Sequence, residues 1–379
     1  MTVRVLHAPL LMGGHPQELV RAERALGLHS RAVSLTPTRF GFAIDEVLWR
    51  GDESLVAREA KRWRLVWRAL RNYDVAHFNF GRSILPCAST AGHKPEYVHG
   101  GLTAALARAY ARAVCQKDLW LLKRAGKAIF VTYQGDDARQ GDYCRAHFPI
   151  HFANEVGADY YPVGSDEAKR RRIAVFDRFA DGIYALNPDL LHVLPRRAQF
   201  LPYSNINPDD WRPVPPTGSS RKTVVHAPTH REVKGTRYVV EAMARLRAEG
   251  FAADLVLVEK QPHREARAAY GRADIVVDQL LAGWYGGLAV EALALGKPVV
   301  AYIRSEDLHF VPDRMREELP VVRAEPGTIY EVLRTLLSRP AAELSALGAR
   351  GRSYVERWHH PRAIAQRLKS DYERALATH

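Results

Sequence analysis

The stretch at residues 274–303 constrains the fold more than any other part of the sequence. Residues 275–277 are a short run of β-branched side chains, which is typical of a strand buried in a parallel sheet. Glycines interrupt the pattern at 283–287, and residues 288–295 have the composition of a helix that a glycine and a proline then end. An apolar run follows at 299–303. The stretch therefore predicts a strand–loop–helix–strand unit with glycines immediately before the helix.

Glycines in that position leave backbone amides accessible at the start of a helix, where the helix dipole is also positive. Gly286, Gly287 and Leu288 could therefore bind a phosphate or a diphosphate. Glu291 lies about one turn into the helix and could accept hydrogen bonds from ribose hydroxyls. A plain strand–helix–strand crossover that binds nothing is the alternative interpretation of the same spacing.

The segment GGLAVEALALGKPVV resembles the donor-binding segment of GT-B glycosyltransferases of the family-4 type. The matching positions are Gly286, Gly287, Leu288, Glu291, Ala292, Ala294, Gly296, Pro298 and Val299. Gly283 departs from the pattern, because that family has a glutamate there that contacts the donor sugar. Asp278 and Gln279, just upstream, could supply polar groups to the donor instead.

The resemblance implies a GT-B fold, which is an α/β architecture with two Rossmann-like domains facing a cleft and a C-terminal helix crossing back to the first domain. The sequence agrees, since strand and helix patterns alternate on both sides of a segment rich in proline. The predicted parts are an acceptor-side domain at 1–204, a linker at 205–221, a nucleotide-sugar-binding domain at 222–358 and a returning helix at 359–379.

Two cations follow the strand that opens the second half of the chain. Arg231 and Lys234 lie between that strand and the next helix, where they could neutralise a diphosphate leaving group. Lys234 with Gly235 matches the family's Lys-Gly, whereas Arg231 is shifted from the position of the family's arginine. A pair of solvated surface cations is the alternative. Glu259, in the loop after the following strand, is expected beside the nucleobase.

Candidate residues in the first half follow predicted strands. Gly13 and Gly14 form a loop after the first strand and resemble the family's loop that faces the donor, although an ordinary tight turn fits equally well. Gln134 follows a strand at 127–133 and stands where the family often has histidine. Glutamine cannot act as a general base at neutral pH, so we expect Gln134 to position the sugar.

Polar residues near Gln134 are expected to bind the acceptor. Asp136, Asp137 and Arg139 are the candidates, and metal binding by the two aspartates is the less favoured alternative. His77 lies in another predicted strand and is either a core residue with satisfied hydrogen bonds or a residue of the site.

We therefore predict a metal-independent glycosyltransferase without a bound cofactor. It would transfer a sugar from a nucleoside diphosphate donor, with UDP or GDP favoured, to a hydroxyl of a glycan, a glycolipid or a natural-product precursor. The resemblance implies retention of the anomeric configuration. A non-catalytic GT-B-like binding or scaffold protein is one alternative, and a nucleotide-sugar epimerase of the same fold is another.

The net charge of +13 favours anionic partners, among them nucleotide-sugars and acidic membranes. We predict no nucleic-acid binding, because neither a stacking-aromatic motif nor a recognition helix is present. Trp63, Trp67 and Leu70 share one face of a basic helix, which suits a membrane interface or, more simply, the core. The three cysteines lack metal-type spacing, and no signal peptide is evident, so we expect a cytoplasmic protein with possible peripheral contact with an anionic membrane.

Overall fold

The structure is a computed structural model that describes residues 2–38, 41–51, 53–88, 102–216 and 218–378. The chain divides into two compact units. The first unit contains residues 1–142, 157–205 and 361–379, and the second contains residues 143–156 and 206–360. The segment 143–156, which the sequence interpretation assigns to the first domain, is thus part of the second unit.

Each unit is built on one sheet whose strands are all parallel. The first sheet has the strand order β3-β2-β1-β4-β5-β6-β7 and the second has the order β12-β11-β10-β8-β9. The strands are β1 (Arg4–Ala8), β2 (His29–Ser34), β3 (Glu46–Val47), β4 (Val75–Asn79), β5 (Ala128–Tyr133), β6 (Gly182–Ala185), β7 (Gln199–Phe200), β8 (Lys222–His226), β9 (Ala253–Leu257), β10 (Ile275–Val277), β11 (Val299–Ala301) and β12 (Val322–Arg323).

Helices connect the strands and cover the sheets, as parallel pairing requires. They are α1 (His15–Ala25), α2 (Leu55–Asn72), α3 (Leu102–Val114), α4 (Lys117–Arg124), α5 (Gly141–His147), α6 (Ser165–Phe179), α7 (Arg231–Lys234), α8 (Thr236–Ala248), α9 (His263–Gly271), α10 (Gly287–Ala294), α11 (Asp313–Glu317), α12 (Ile329–Ser338), α13 (Ala341–Trp358) and α14 (Pro361–Ala377). The α/β class with two parallel-sheet domains is confirmed. The opening stretch is confirmed as β10, a loop, α10 and β11.

The first sheet is covered on both faces, because successive side chains of a strand point to opposite sides. Leu6 belongs to the apolar cluster that α2, α4 and α6 cover, whereas Val5 belongs to the cluster that α1 and α14 cover. Leu368 of α14 packs there, so the predicted return of the last helix to the first domain is confirmed.

A buried polar cluster, here called the Tyr372 cluster, fastens α14 to this sheet. It consists of His7, Glu23, His77, Thr132 and Tyr372, all with essentially no exposed surface. Glu23 accepts a hydrogen bond from Tyr372 Oη at 3.0 Å and pairs with His7 Nε2 at 3.0 Å. His77 is hydrogen-bonded to Tyr372 Oη and to Thr132 Oγ1, and its ring stacks on that of His7. Burial lowers the pKa of His77 well below its ordinary value, so a neutral ring fits this place.

The core face of α2 differs from the prediction. Leu65, Val66 and Ala69 are the buried apolar residues, whereas the side chains of Trp63 and Trp67 lie outside. The residue exposure is 38% for Trp63 and 53% for Trp67. The expectation that these tryptophans form the core face is therefore wrong: smaller apolar residues fill the contact with the sheet.

Two of the three cysteines are joined, since Cys87 and Cys115 form a disulfide across the connection between β4 and α4. Cys144 is buried and takes no part in a disulfide. Among the described residues, no helix is both long enough and apolar enough to cross a lipid bilayer.

Candidate functional site

Lys234 and the glycine loop before α10 meet at the carboxyl edge of the second sheet. β8 and β10 are neighbours in register, so α7, which follows β8, lies beside the loop that follows β10. Lys234 Nζ lies 3.2 Å from Asp278 Oδ1 and 2.5 Å from Gln279 Oε1. The other oxygen of Asp278 accepts a hydrogen bond from the amide of Gly286 at 2.5 Å. We call Lys234, Asp278, Gln279 and Gly286 the lysine cluster.

Gly286 is tightly enclosed within this cluster. A β-carbon at this position would lie 3.3 Å from Asp278 Oδ2 and 3.4 Å from Lys234 Nζ. The backbone of Gly286 is extended, with φ of −105°, so closeness to the charged pair, and not backbone conformation, favours glycine here.

The lysine cluster is open on one side only. Asp278 is fully buried, whereas the Lys234 side chain keeps 14% of its surface exposed. A lysine ammonium has three hydrogens, and two of them donate to Asp278 and Gln279. Within the described ranges the third hydrogen has no acceptor, so the ammonium is held by two bonds and retains one donor for a ligand.

Glu291 also lies near the start of α10, and it is paired. Its Oε1 atom is 3.0 Å from Nε2 of His263, the first residue of α9. The hydrogen bond that His263 donates to the Glu291 carboxylate raises the pKa of His263, which favours the charged imidazolium. No sequence pattern singled out His263, because the pair joins residues 28 positions apart whose proximity only the packing of α9 on α10 creates.

Arg231 does not reach the lysine cluster. Its guanidinium donates two hydrogen bonds to Glu259, at 2.9 and 2.6 Å, and 61% of the side chain is exposed. It borders a cavity of about 430 Å³ that Glu155, Glu232 and Arg237 also line. The two residues predicted at the diphosphate and at the nucleobase are therefore bound to each other on the surface.

Gly283 stands where the family-4 type has its sugar-binding glutamate, and the side chain of Arg304 occupies the space beside it. Gly283 has φ of +76°, and a β-carbon there would lie 2.6 Å from Nη1 of Arg304. Arg304 is buried, donates to Asp307 at 2.8 Å and to the carbonyl of Ile150, and stacks on Phe148. Glycine is needed here for both reasons, since a side chain would be strained and would displace the guanidinium.

His226, at the end of β8, contributes a neutral ring beside the lysine cluster. Its Nδ1 atom is 2.8 Å from the carbonyl oxygen of Val277, and its Nε2 atom is 2.9 Å from Thr236 Oγ1. Burial lowers the pKa of His226 to about 4. No motif or spacing in the sequence marks this histidine.

At the carboxyl edge of the first sheet, Asp137 organises the turn that follows β5. Its carboxylate accepts hydrogen bonds from the amides of Gln134 and Gly135, at 3.1 and 2.7 Å. Burial raises the pKa of Asp137 to about 6. The Gln134 carbonyl accepts a bond from Asn187 Nδ2 at 2.7 Å, which leaves the amide side chain of Gln134 as the group this turn can present.

Arg139 and Asp136 are engaged within the first unit. Arg139 donates two hydrogen bonds to the buried Asp189, at 2.5 and 3.2 Å, and one to Asp136 at 3.3 Å. Asp136 also accepts a bond from the hydroxyl of Tyr160. Asp136 is the more accessible of the two, with 27% of its side chain exposed against 9% for Arg139.

Gly13 and Gly14 both have positive φ and form the turn between β1 and α1. A β-carbon on Gly14 would lie 2.8 Å from the carbonyl oxygen of Asn205, whereas one on Gly13 would meet nothing within 4 Å. The turn is anchored by His15, whose Nδ1 atom accepts the amide of Ser204 at 3.0 Å. His77 lies away from this edge, enclosed in the Tyr372 cluster under α14.

No group of three His, Cys, Asp or Glu side chains is arranged to hold a metal ion among the described residues. Of the residues predicted for the site, the structure brings Lys234, Asp278, Gln279 and Gly286 into one cluster in the second unit. In the first unit it brings Gln134 and Asp137 together.

Comparison with known proteins identifies the fold. The chain matches no protein-family model and no curated protein. It is similar to the structure of sucrose-phosphate synthase from Thermosynechococcus elongatus, with 16% identity, a TM-score of 0.62, and coverage of 99% of this chain and 100% of the other. The structure of HepE from Anabaena in complex with UDP-glucose has 11% identity and a TM-score of 0.57. The match covers 99% of this chain and 100% of HepE. A glycosyltransferase from Rickettsia africae ESF-5 is 12% identical to this chain, with a TM-score of 0.56 and coverage of 99% of each chain.

These structural neighbours are glycosyltransferases of the GT-B class. At such low identities the likeness shows the fold, and it extends over nearly the whole of each chain. The expected α/β fold with two parallel-sheet domains is thus supported by independent structures.

Proposed function

We propose that the protein is a metal-independent glycosyltransferase that transfers a sugar from a nucleoside diphosphate donor to a hydroxyl acceptor. The single observation that carries the proposal is the lysine cluster. A lysine with one free donor lies beside the amide at the mouth of α10, at the carboxyl edge of a parallel sheet. Open α/β sheets bind ligands at that edge, and a helix mouth with a lysine suits a phosphate.

In the proposed reaction, the bond between the anomeric carbon and the diphosphate oxygen breaks, the acceptor oxygen bonds to that carbon, and the proton of the acceptor hydroxyl passes to an oxygen of the departing diphosphate. Negative charge then builds on the departing diphosphate. The third hydrogen of Lys234 and the positive end of the α10 dipole stabilise this charge, because both are already oriented before the reaction. Asp278 and Gln279 act as positioning residues, since they fix the ammonium by its two other hydrogens.

Glu291 would accept hydrogen bonds from the ribose hydroxyls of the donor. His263 holds the Glu291 carboxylate from the other side at 3.0 Å, which keeps the carboxylate oriented. The UDP-glucose bound to HepE motivates UDP as the first nucleotide to test, with GDP as the second.

The sugar and the acceptor would be met by the first unit. Gln134 would donate from its side-chain amide to a sugar hydroxyl, the turn at Gly13 and Gly14 would border the donor, and Asp136 would accept from the acceptor. Retention of configuration follows from the resemblance to the family-4 type. His77 and Arg231 are left out of the proposed chemistry, the first because it is enclosed and the second because it is bound to Glu259.

The test combines a binding and a transfer measurement. Calorimetry with UDP, GDP and inorganic pyrophosphate reports the anion site, and a panel of UDP-, GDP-, ADP- and dTDP-sugars reports transfer or hydrolysis of the donor. We expect nucleotide binding that Lys234→Ala weakens, together with transfer from at least one sugar. Nucleotide binding without any turnover over the panel would favour a binding protein of this fold, and interconversion of free sugar nucleotides would favour an epimerase.

A further inference from the structure

Three neighbouring helices of the first unit, α2, α3 and α4, expose large apolar side chains. On α2 the exposed positions include Val56, Ala60, Trp63, Trp67 and Arg71, which recur every three or four residues and therefore form one stripe. Of the seven tryptophans, the three with the largest exposure are all on these helices: Trp67 at 53%, Trp120 of α4 at 46% and Trp63 at 38%.

The exposed stripes lie close to one another. The indole nitrogen of Trp63 donates to the hydroxyl of Tyr110 on α3 at 2.7 Å, and Tyr110 donates in turn to Glu59 of α2. On α3, Leu106 lies one turn before Tyr110 and is 62% exposed. α4 packs beside α2 under the sheet, where Leu119 and Leu122 share the apolar cluster that contains Leu65. We call the exposed face of α2, α3 and α4 the tryptophan face.

Positive charge surrounds the exposed rings. α2, α3 and α4 together contain eleven Lys and Arg residues and only two acidic residues, in a chain whose net charge is +13. Asp118 is fully buried, and Glu59, which keeps 18% of its side-chain surface exposed, is bound by Tyr110 and Arg62. Arg71 lies over the ring of Trp67 and Arg124 over that of Trp120, at 4.7 and 5.2 Å.

Tryptophan with arginine is the combination that suits the interface between lipid head groups and water. The indole ring combines an apolar body with a polar edge, and anionic head groups attract the arginines. A helix that lies flat on a bilayer has the same separation of faces, with an apolar stripe flanked by cations. A solvated face would not need three exposed indoles, and exposed apolar groups of this kind mark interaction surfaces.

We propose that the tryptophan face docks the protein on an anionic lipid bilayer. The indoles of Trp67 and Trp120 enter the head-group region, and Arg64, Arg71 and Arg124 contact anionic lipids. Docking extends the proposed function, because it brings the acceptor-side unit to the surface where a lipid-linked acceptor would lie. It does not depend on catalysis, however, so binding to vesicles can be measured in a protein that transfers no sugar.

The experiment uses the full chain and vesicles of phosphatidylcholine, with or without roughly one third phosphatidylglycerol, in sedimentation assays and by tryptophan fluorescence. We expect binding to the anionic vesicles only, a blue shift of the emission, and weaker binding at high salt. Trp67→Ala combined with Trp120→Ala should lower the partition coefficient roughly tenfold. Arg64→Gln combined with Arg71→Gln should lower it by about fivefold per arginine at low salt.

The matched control is Arg272→Gln combined with Arg350→Gln, two exposed arginines of the second unit, which should leave vesicle binding unchanged. Circular dichroism and thermal unfolding check that each variant folds, and the substituted side chains are exposed. Equal binding to both kinds of vesicle, no binding to either, or equal losses in the control would overturn the proposal. Stronger, tryptophan-dependent binding to single-stranded DNA than to anionic vesicles would overturn it in favour of a nucleic-acid partner.

Discussion

Each unit contains a buried carboxylate with both oxygens engaged, and the two differ in what surrounds them. Glu23 binds His7 and Tyr372 in the first unit, and Asp278 binds Lys234 and the amide of Gly286 in the second. Every member of the Tyr372 cluster is buried, whereas Lys234 retains exposed surface and one free hydrogen. The closed cluster can only hold the fold together, but the open one can also bind an anion.

The largest effect should come from removing the cation of the open cluster. We expect Lys234→Ala to reduce sugar transfer by about 10²–10³-fold, the loss typical of one preorganised donor to a developing negative charge. Steady-state kinetics on the best donor of the panel measure it. Arg272→Ala, which removes an exposed cation of the same unit, is the control and should change turnover by less than about twofold. Near-normal turnover in Lys234→Ala would show that the lysine cluster takes no part in sugar transfer.

Acid should weaken the structure through two buried histidines, His226 beside the lysine cluster and His77 in the Tyr372 cluster. The pKa of His226 is lowered to about 4 by burial, so the unfolded protein binds more protons than the folded one between that value and the ordinary pKa of about 6.5. Its contribution is complete above pH 6.5 and is lost as the pH falls. By pH 4.5 the apparent free energy of unfolding should drop by roughly 2–3 kcal/mol on account of His226.

Denaturant unfolding of the second unit at pH 7 and pH 4.5 tests this. The free energy of unfolding should differ less between the two pH values in His226→Asn than in the parent protein. His309 is exposed, so His309→Asn should show the same difference as the parent. The same pH difference in His226→Asn and in the parent would contradict the assignment. His77 should act in the same direction in the first unit, since its pKa is also lowered by burial.

Opening the closed cluster should cost stability without affecting turnover. Tyr372→Phe removes the hydroxyl that joins His77 to Glu23 and leaves two buried polar groups with fewer partners. We expect a loss of about 1–3 kcal/mol in the apparent free energy of unfolding of the first unit, with unchanged transfer per folded molecule. Tyr330→Phe, which removes an exposed hydroxyl bound to Glu249, should cost about 0.5 kcal/mol or less. Similar losses of unfolding free energy in both variants would show that the buried hydroxyl of Tyr372 contributes no more to stability than an exposed one.

The smallest effect should follow from crowding the open cluster. A methyl group at Gly286 would touch both Asp278 and Lys234 while leaving the backbone in an allowed conformation. We expect Gly286→Ala to weaken pyrophosphate binding by roughly tenfold, about 1.4 kcal/mol, with little change in stability. Calorimetry measures it against Gly327→Ala, where an added β-carbon meets nothing within 4 Å. Equal pyrophosphate affinities in the two variants would show that the start of α10 takes no part in pyrophosphate binding.

The sequence was informative where local pattern and topology suffice. A glycine loop between two apolar runs predicts β10, α10 and β11, and the rule that ligands bind at the carboxyl edge places Lys234 beside Gly286. Both inferences need only periodicity and strand order, because parallel neighbours bring the loops after them together.

The pairing of individual side chains could not be predicted from sequence pattern and topology. The partners of Arg231, Glu291 and Gly283 are Glu259, His263 and Arg304, and each pair depends on how separate elements pack. The stripe of Trp63 and Trp67 has helical period, but period alone does not say which of two stripes faces the sheet. The assignment of 143–156 to the second unit rests on contacts such as the hydrogen bond from the Phe152 amide to the Leu281 carbonyl.

The chain passes between the two units four times, since 143–156 belongs to the second and 361–379 to the first. A ribosome therefore makes α14 only after the whole of the second unit, and until then one face of the first sheet has only one of its two covering helices and Glu23 lacks Tyr372. Neither unit corresponds to one continuous piece of the gene. Cutting the protein at its middle should yield two incomplete domains, and the two halves should become stable only when they are produced together.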